Sequence, residues 1–231
     1  MELTRLANET DDYRRRREEL RLAEIDLMRQ RERVAALRRQ LPLETVVSDY
    51  ELLTVGAGRP VRLSELFTRP RRTLILYHFM FGKAQREPCP MCTMWIDGFA
   101  AVAPHVTQVV DFAVAAAADV GELRSVAEER SWKNLTLLSC GASSFKYDLG
   151  SEDAEGNQDS AISVFVLGDD GKVRHAYTGK PRLAEDIHER GIDLLTPVWN
   201  LFDLTPDGRP DWYPGFSYDP GEHPLVTPAS R

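Results

Sequence analysis

Apolar side chains fall at every seventh position near the start of the chain: Tyr13, Leu20, Leu27, Val34 and Leu41. No Gly or Pro stands between Met1 and Leu41, and Leu, Arg, Glu and Ala dominate. This pattern predicts one long helix over residues 3–40, ended by Pro42. Ala23 and Leu37 fill part of a second stripe, which Arg16 and Gln30 interrupt. A sustained heptad needs both stripes. Two readings therefore stand: a helix packed on its own domain, and a helix shared with a second copy as a homodimer. The basic run Arg14 to Arg17 has acidic neighbours on both sides and reads as a solvated face.

The pattern then changes. "GAGRP" between short apolar stretches predicts a hairpin or extended arm, with a short helix near Leu63–Phe67. Leu74 to Phe81 is nearly all apolar and too short for a typical helix, which predicts a strand buried on both faces. In "PMCTMWIDGFAAVAPHV", Met91, Met94, Trp95 and Phe99 share one helical face, with Pro90 suited to the first turn. A second strand in "VTQVVDFAVAAAA", a helix capped by Asp119 and a third strand in "NLTLLSC" follow. "GASSFKYDLGSEDAEGNQDS" reads as a polar connection. "AISVFVLGDDGKVRHAYTG" reads as a hairpin turning at Asp169, Asp170 and Gly171. One or two helices and an irregular, Pro- and Gly-rich end complete the chain.

Composition narrows the class. The 231 residues are 42% hydrophobic and 28% charged, as in a globular protein of one or two domains. No apolar run approaches the ~20 residues that span a bilayer. The charged N-terminus lacks the pattern of a secretory signal, so a cytoplasmic location without membrane association is expected. Residues 1–41 carry 11 basic and 9 acidic side chains, leaving 18 basic and 27 acidic residues in the rest. An acidic main domain argues against nucleic acid as a partner.

The candidate chemistry lies in "PCPMC". Cys89 and Cys92 stand between a predicted buried strand and a predicted helix. In an α/β pattern that placement is the thioredoxin-like redox arrangement. Cys89 would meet the unsatisfied N–H groups of the first helical turn, which favour thiolate. Lys83 and Arg86 would add to that effect and Glu87 would oppose it. Cys92, one turn on and more buried, would resolve a mixed disulfide. A zinc site would need Cys140 and scattered histidines to supply its other ligands. A third reading is a pair of inert buried thiols. Cys140 reads as a core residue, and His78 as a satisfied core histidine. Trp95 is expected to pack on the strand beneath it or to wall the dithiol. Trp199, Phe202 and Trp212 read as core or interface rather than a ligand box.

"LILYHFMFG", "PCPMCTMW", "SSFKYDLG", "SVFVLGDDGKVRHAY" and "LLTPVWNLFDLTPDGR" occur in this order. Together they resemble the bacterial domain of unknown function 899 family, whose members are predicted dithiol–disulfide oxidoreductases. The likeness covers about residues 10–210. It implies an α/β, thioredoxin-like three-layer sandwich; with the patterns above, the expected organisation is a helical arm at 1–41, the thioredoxin-like domain at 42–212 and an irregular Pro- and Gly-rich tail at 213–231. It also implies that Cys89 and Cys92 are the catalytic pair, acting on a thiol or disulfide substrate without a bound cofactor. "SAISVF" lacks the proline that thioredoxins carry before this strand. Arg86 stands where peroxiredoxins carry a threonine relative to Cys89. A redox-silent binding module and a thiol peroxidase are thus the alternatives.

Overall fold

The computed structural model describes residue 4, residues 6–185 and residues 190–218. Its contacts divide the chain into two units, Met1–Pro42 and Leu43–Arg231. In the first unit, helix α1 spans Asp11–Arg39. It starts later than the expected residue 3. The reason is local: the Thr10 hydroxyl oxygen accepts from the Tyr13 backbone N–H at 3.1 Å and caps the helix there. Asp11 and Asp12 in the first turn, and Arg38 and Arg39 in the last, suit the helix dipole. The arginine run pairs with its acidic flanks, as Arg15 does with Glu19 at 2.8 Å and Arg17 with Glu9 at 2.7 Å. Tyr13, Leu20 and Leu27 of the heptad stripe are exposed.

The second unit is built on seven strands: β1 (Glu51–Thr54), β2 (Pro60–Arg62), β3 (Thr73–Phe79), β4 (Asp111–Ala116), β5 (Thr136–Ser139), β6 (Ala161–Leu167) and β7 (Val173–Gly179). They form one sheet in the order β2-β1-β5-β4-β3-β6-β7. β3, β4 and β5 run parallel. The β6–β7 hairpin lies antiparallel against β3. Helices α2 (Pro90–Val106) and α3 (Val120–Glu129) make the crossovers. A parallel βαβαβ unit followed by an antiparallel hairpin is the thioredoxin-like fold, as expected. The hairpin turns at Gly171, whose φ of 74° is the left-handed conformation such a turn needs.

Strand alternation divides the core between the two sheet faces. On one face, Tyr77 and Phe79 of β3 and Phe112 and Val114 of β4 pack with Trp95, Ile96 and Phe99 of α2. On the other, Leu74, Leu76, Ala113, Ala115 and Phe165 pack with Leu52, Leu63 and Phe145. Burying each large apolar side chain stabilises the fold by about 1.5–3 kcal/mol, so this double-sided burial explains the uninterrupted apolar run of β3. The second face is covered thinly, by a 3-10 turn at Leu63–Leu66 and a one-turn helix, α4 (Phe145–Asp148). That helix corrects the expectation of a merely polar connection. Phe145 and Lys146 are both fully buried there. Helix α5 (Pro197–Phe202) follows a 3-10 turn at Arg190–Leu195.

Candidate functional site

β3 ends at Phe79, between β4 and β6, and a tight loop carries the chain to the start of α2. Gly82 makes that loop possible. Its φ is 103°, and a Cβ there would sit 2.1 Å from the Ala118 backbone nitrogen. The loop is tied down by the Ala118 N–H, which donates to the Phe81 carbonyl at 3.0 Å. Cys89 then forms the N-cap of α2 with extended backbone, and Pro90 opens the helix. The Cys89 N–H donates to the Met80 carbonyl at 3.1 Å, while its own carbonyl accepts from the Thr93 N–H and hydroxyl at 2.9 and 3.0 Å. The cysteine is therefore held from both sides.

The three cysteines are free thiols. Their environments separate them. The Cys92 thiol, backbone N–H groups of Cys92 and Met91, and the Tyr213 hydroxyl all favour charge on the Cys89 sulfur. Together they outweigh burial and lower its pKa to about 6. Cys92 is pushed the other way, well above the ordinary thiol value, by burial and then by the neighbouring Cys89. Cys140 rises to about 12 through burial, and its thiol donates to the Ala116 carbonyl at 3.1 Å. Cys92 and Cys140 are more deeply buried, at 1% and 3% exposed, than Cys89 at 8%, as the sequence leads one to expect. The expected charge effect of Lys83 does not carry the shift, since Lys83 is paired with Glu152.

Beneath the pair lies Tyr77, fully buried on β3, packed edge-on against Trp95 at 6.0 Å. Its hydroxyl makes no hydrogen bond of ordinary geometry among the described residues, yet interacts with Cys92 and Ser160. Ser160 occupies the position just before β6 and is itself buried. His78 is a core residue, as expected. Its ring nitrogens meet Ser163 at 2.9 Å and Ser151 at 2.8 Å, and the ring stacks on Phe145. Burial, reinforced by the Lys146 charge, lowers its pKa well below the ordinary histidine value, so it stays neutral.

Two features of the site were not foreseen. Lys146 of α4 is buried, and its ammonium donates to the Phe79 carbonyl at 2.7 Å, where β3 ends. Burial lowers its pKa to about 8. The flanking aromatics in "SSFKYDLG" were the only local sign that this segment folds inward. The second is Tyr213, which the sequence reading placed in the tail. Its hydroxyl lies 3.7 Å from the Cys89 sulfur.

Trp199, Phe202 and Trp212 form one aromatic cluster with ring separations of 5.7–6.0 Å. Trp199 is buried in the core, with Phe202 and Trp212 packed against it, as expected. Trp199 and Trp212, with Met91, Trp95, Arg209 and Tyr213, line a cleft of about 770 Å³. Distant segments fold together to make it, which no local pattern announces. Among the described residues, no group of three or more His, Cys, Asp or Glu is placed to hold a metal ion, and no helix is long and apolar enough to cross a membrane.

The fold and the helix-start cysteine pair define a thioredoxin-like protein carrying a Cys-Pro-Met-Cys segment. Residues 3–218 match the family described as "Bacterial protein of unknown function (DUF899)", and the chain belongs to that family. No curated protein matches the sequence. Solved structures similar to it include peroxidoxin BcpB from Mycobacterium tuberculosis, with 22% identity, a TM-score of 0.43 and coverage of 58% of this chain and 83% of that one. A variant of peroxiredoxin Q from Xanthomonas campestris has 14% identity, a TM-score of 0.45 and coverage of 60% and 83%. A peroxiredoxin-like protein from Aquifex aeolicus has 16% identity, a TM-score of 0.47 and coverage of 70% and 88%.

Proposed function

We infer that this protein is a dithiol–disulfide oxidoreductase, with Cys89 as nucleophile and Cys92 as resolving thiol. The observation that carries the reading is the split between the two sulfurs. Cys89, at the helix start, titrates at about 6 and is about nine-tenths thiolate at pH 7. Cys92, one turn deeper, holds its proton. The Cys89 thiolate attacks a substrate disulfide, breaking its S–S bond and releasing one half as a thiolate. Bonding removes the negative charge from Cys89, and with it one of the influences that keep Cys92 protonated. Cys92 then gives up its proton to the departing thiolate and attacks the Cys89 sulfur. The second half of the substrate leaves as a thiolate and takes a proton from water. Two electrons pass to the substrate, and the protein is left with a Cys89–Cys92 disulfide. A reducing cytoplasm would return the electrons through a cellular dithiol.

Trapping tests this directly. Cys92→Ser removes the resolving thiol, so mixed disulfides through Cys89 should accumulate and be released by dithiothreitol. Absence of any Cys89 adduct, together with full biological activity of a Cys89→Ala/Cys92→Ala protein, would establish the redox-silent alternative instead.

A further inference from the structure

The cleft beside Cys89 has the size and lining of a small-molecule site. Its ~770 Å³ falls within the ~300–1,000 Å³ usual for such sites. Its walls are flat and apolar, with Trp95, Trp199, Trp212 and Met91. Two buried N–H donors belong to residues that line it. The Trp95 side chain is 2% exposed, and its indole N–H has no partner among the described residues. The Arg209 Nε–H also has none, although the guanidinium pairs with Asp193 at 2.7 Å and lies 4.8 Å from the Trp199 ring centre. Unpaired buried donors cost free energy, and an occupant carrying an acceptor would relieve it. The charged residues lining the cleft balance, Arg182 and Arg209 against Glu185 and Asp211, so a neutral occupant suits it. Tyr213 lines the cleft and places its hydroxyl 3.7 Å from the Cys89 sulfur.

We propose that this cleft binds one half of a small organic disulfide, an aromatic body bearing a neutral hydrogen-bond acceptor such as a carboxamide. The site thereby selects small aromatic disulfides over protein disulfides. This rests on the dithiol reading for its chemistry, but its recognition is separable. In the bound state the aromatic ring lies among Trp95, Trp199 and Trp212, and the acceptor meets the indole N–H of Trp95. The Cys89 thiolate attacks the substrate sulfur nearest the ring. The released half departs as a thiolate and takes up the Cys92 proton. Cys92 then frees the aromatic half as a thiolate, which takes a proton from water, so one disulfide becomes two thiols and the protein becomes a disulfide. A dithiol reductant restores it.

The test separates binding from turnover. The probe is a dibenzyl disulfide with a carboxamide on each ring, and the control is bis(2-hydroxyethyl) disulfide, whose leaving thiols are similarly basic. Binding is read by tryptophan fluorescence in a Cys89→Ser/Cys92→Ser protein, and turnover by kcat/KM in the unsubstituted protein. The probe should bind at least tenfold more tightly than the control. Trp212→Ala should weaken probe binding about tenfold, and Trp95→Phe, which keeps a ring but removes the N–H, several-fold. Both variants should keep the folded circular-dichroism spectrum. Equal binding of probe and control, or probe binding unaffected by both variants, would overturn the proposal. So would a kcat/KM for reduced-accessible insulin disulfides exceeding that for the probe. Selective probe binding without any turnover would leave the cleft as a binding site and overturn the dithiol reading alone.

Discussion

A thiol at a helix start becomes a nucleophile only through its immediate partners, and at Cys89 those partners are identifiable. Its pKa of about 6 lies below the ordinary thiol value, so the thiolate is populated above pH 6 and lost below it. Iodoacetamide alkylation of Cys89 should therefore show a midpoint near 6, and a midpoint above 8 would remove the proposed activation. Tyr213→Phe takes away one donor, so the midpoint should rise and the rate at pH 6.5 fall about two- to fivefold. Thiolate stabilisation favours the reduced pair. The Cys89–Cys92 reduction potential should then lie above the about −270 mV of thioredoxin, whose nucleophile titrates near 7. Titration against glutathione checks this, and a more negative value would contradict it.

Lys146 makes the converse case at the same scale. The fold lowers its pKa from 10.5 to about 8, so folding favours the neutral amine. That contribution is fully present above pH 10.5 and is lost as pH falls through 8. At pH 7, Lys146→Met should therefore cost no more than about 1 kcal/mol, since it removes a buried cation and keeps the volume. Lys146→Ala opens a cavity and should cost about 2–4 kcal/mol. Urea unfolding distinguishes them, and equal losses would show that the charge is not penalised.

At the scale of elements, the β3–α2 junction decides whether the two thiols are presented at all. The sequence shows the strand, the helix and Pro90, because burial periodicity and helix-start chemistry are local. It does not show why the loop closes. Gly82 sits against the Ala118 backbone of the β4–α3 segment, a contact between chain positions far apart. Gly82→Ala would force that backbone apart and strain a positive φ, so it should cost more than about 2 kcal/mol and slow alkylation of Cys89. A variant with unchanged urea midpoint would refute the tight approach. Helix α4 escaped the sequence reading for a related reason. Four residues are too few to show a periodicity, and only the packing of Phe145 on Tyr50 and Phe165 draws Lys146 inside.

For the whole molecule, the division into two units gives the arm a testable role. Its exposed stripe of Tyr13, Leu20 and Leu27 suits a second copy of the same helix. The full chain should run as a dimer in light scattering, and a chain starting at Leu43 as a monomer. A full chain that stays monomeric at high concentration would exclude the shared-helix arrangement.

The sequence alone determined the order of the parallel strands, their crossover helices and the closing hairpin, the placement of Cys89 and Cys92 at a helix start, and the burial of Cys140 and His78. Each of these follows from short-range pattern: apolar runs, caps and the spacing of a pair. Tertiary structure decided the rest. It placed Tyr213 on the Cys89 sulfur across more than a hundred residues of chain, drew Lys146 under the end of β3 and gathered three tryptophans around one cleft. Such contacts depend on where the whole sheet brings distant segments together, and no local periodicity encodes that meeting.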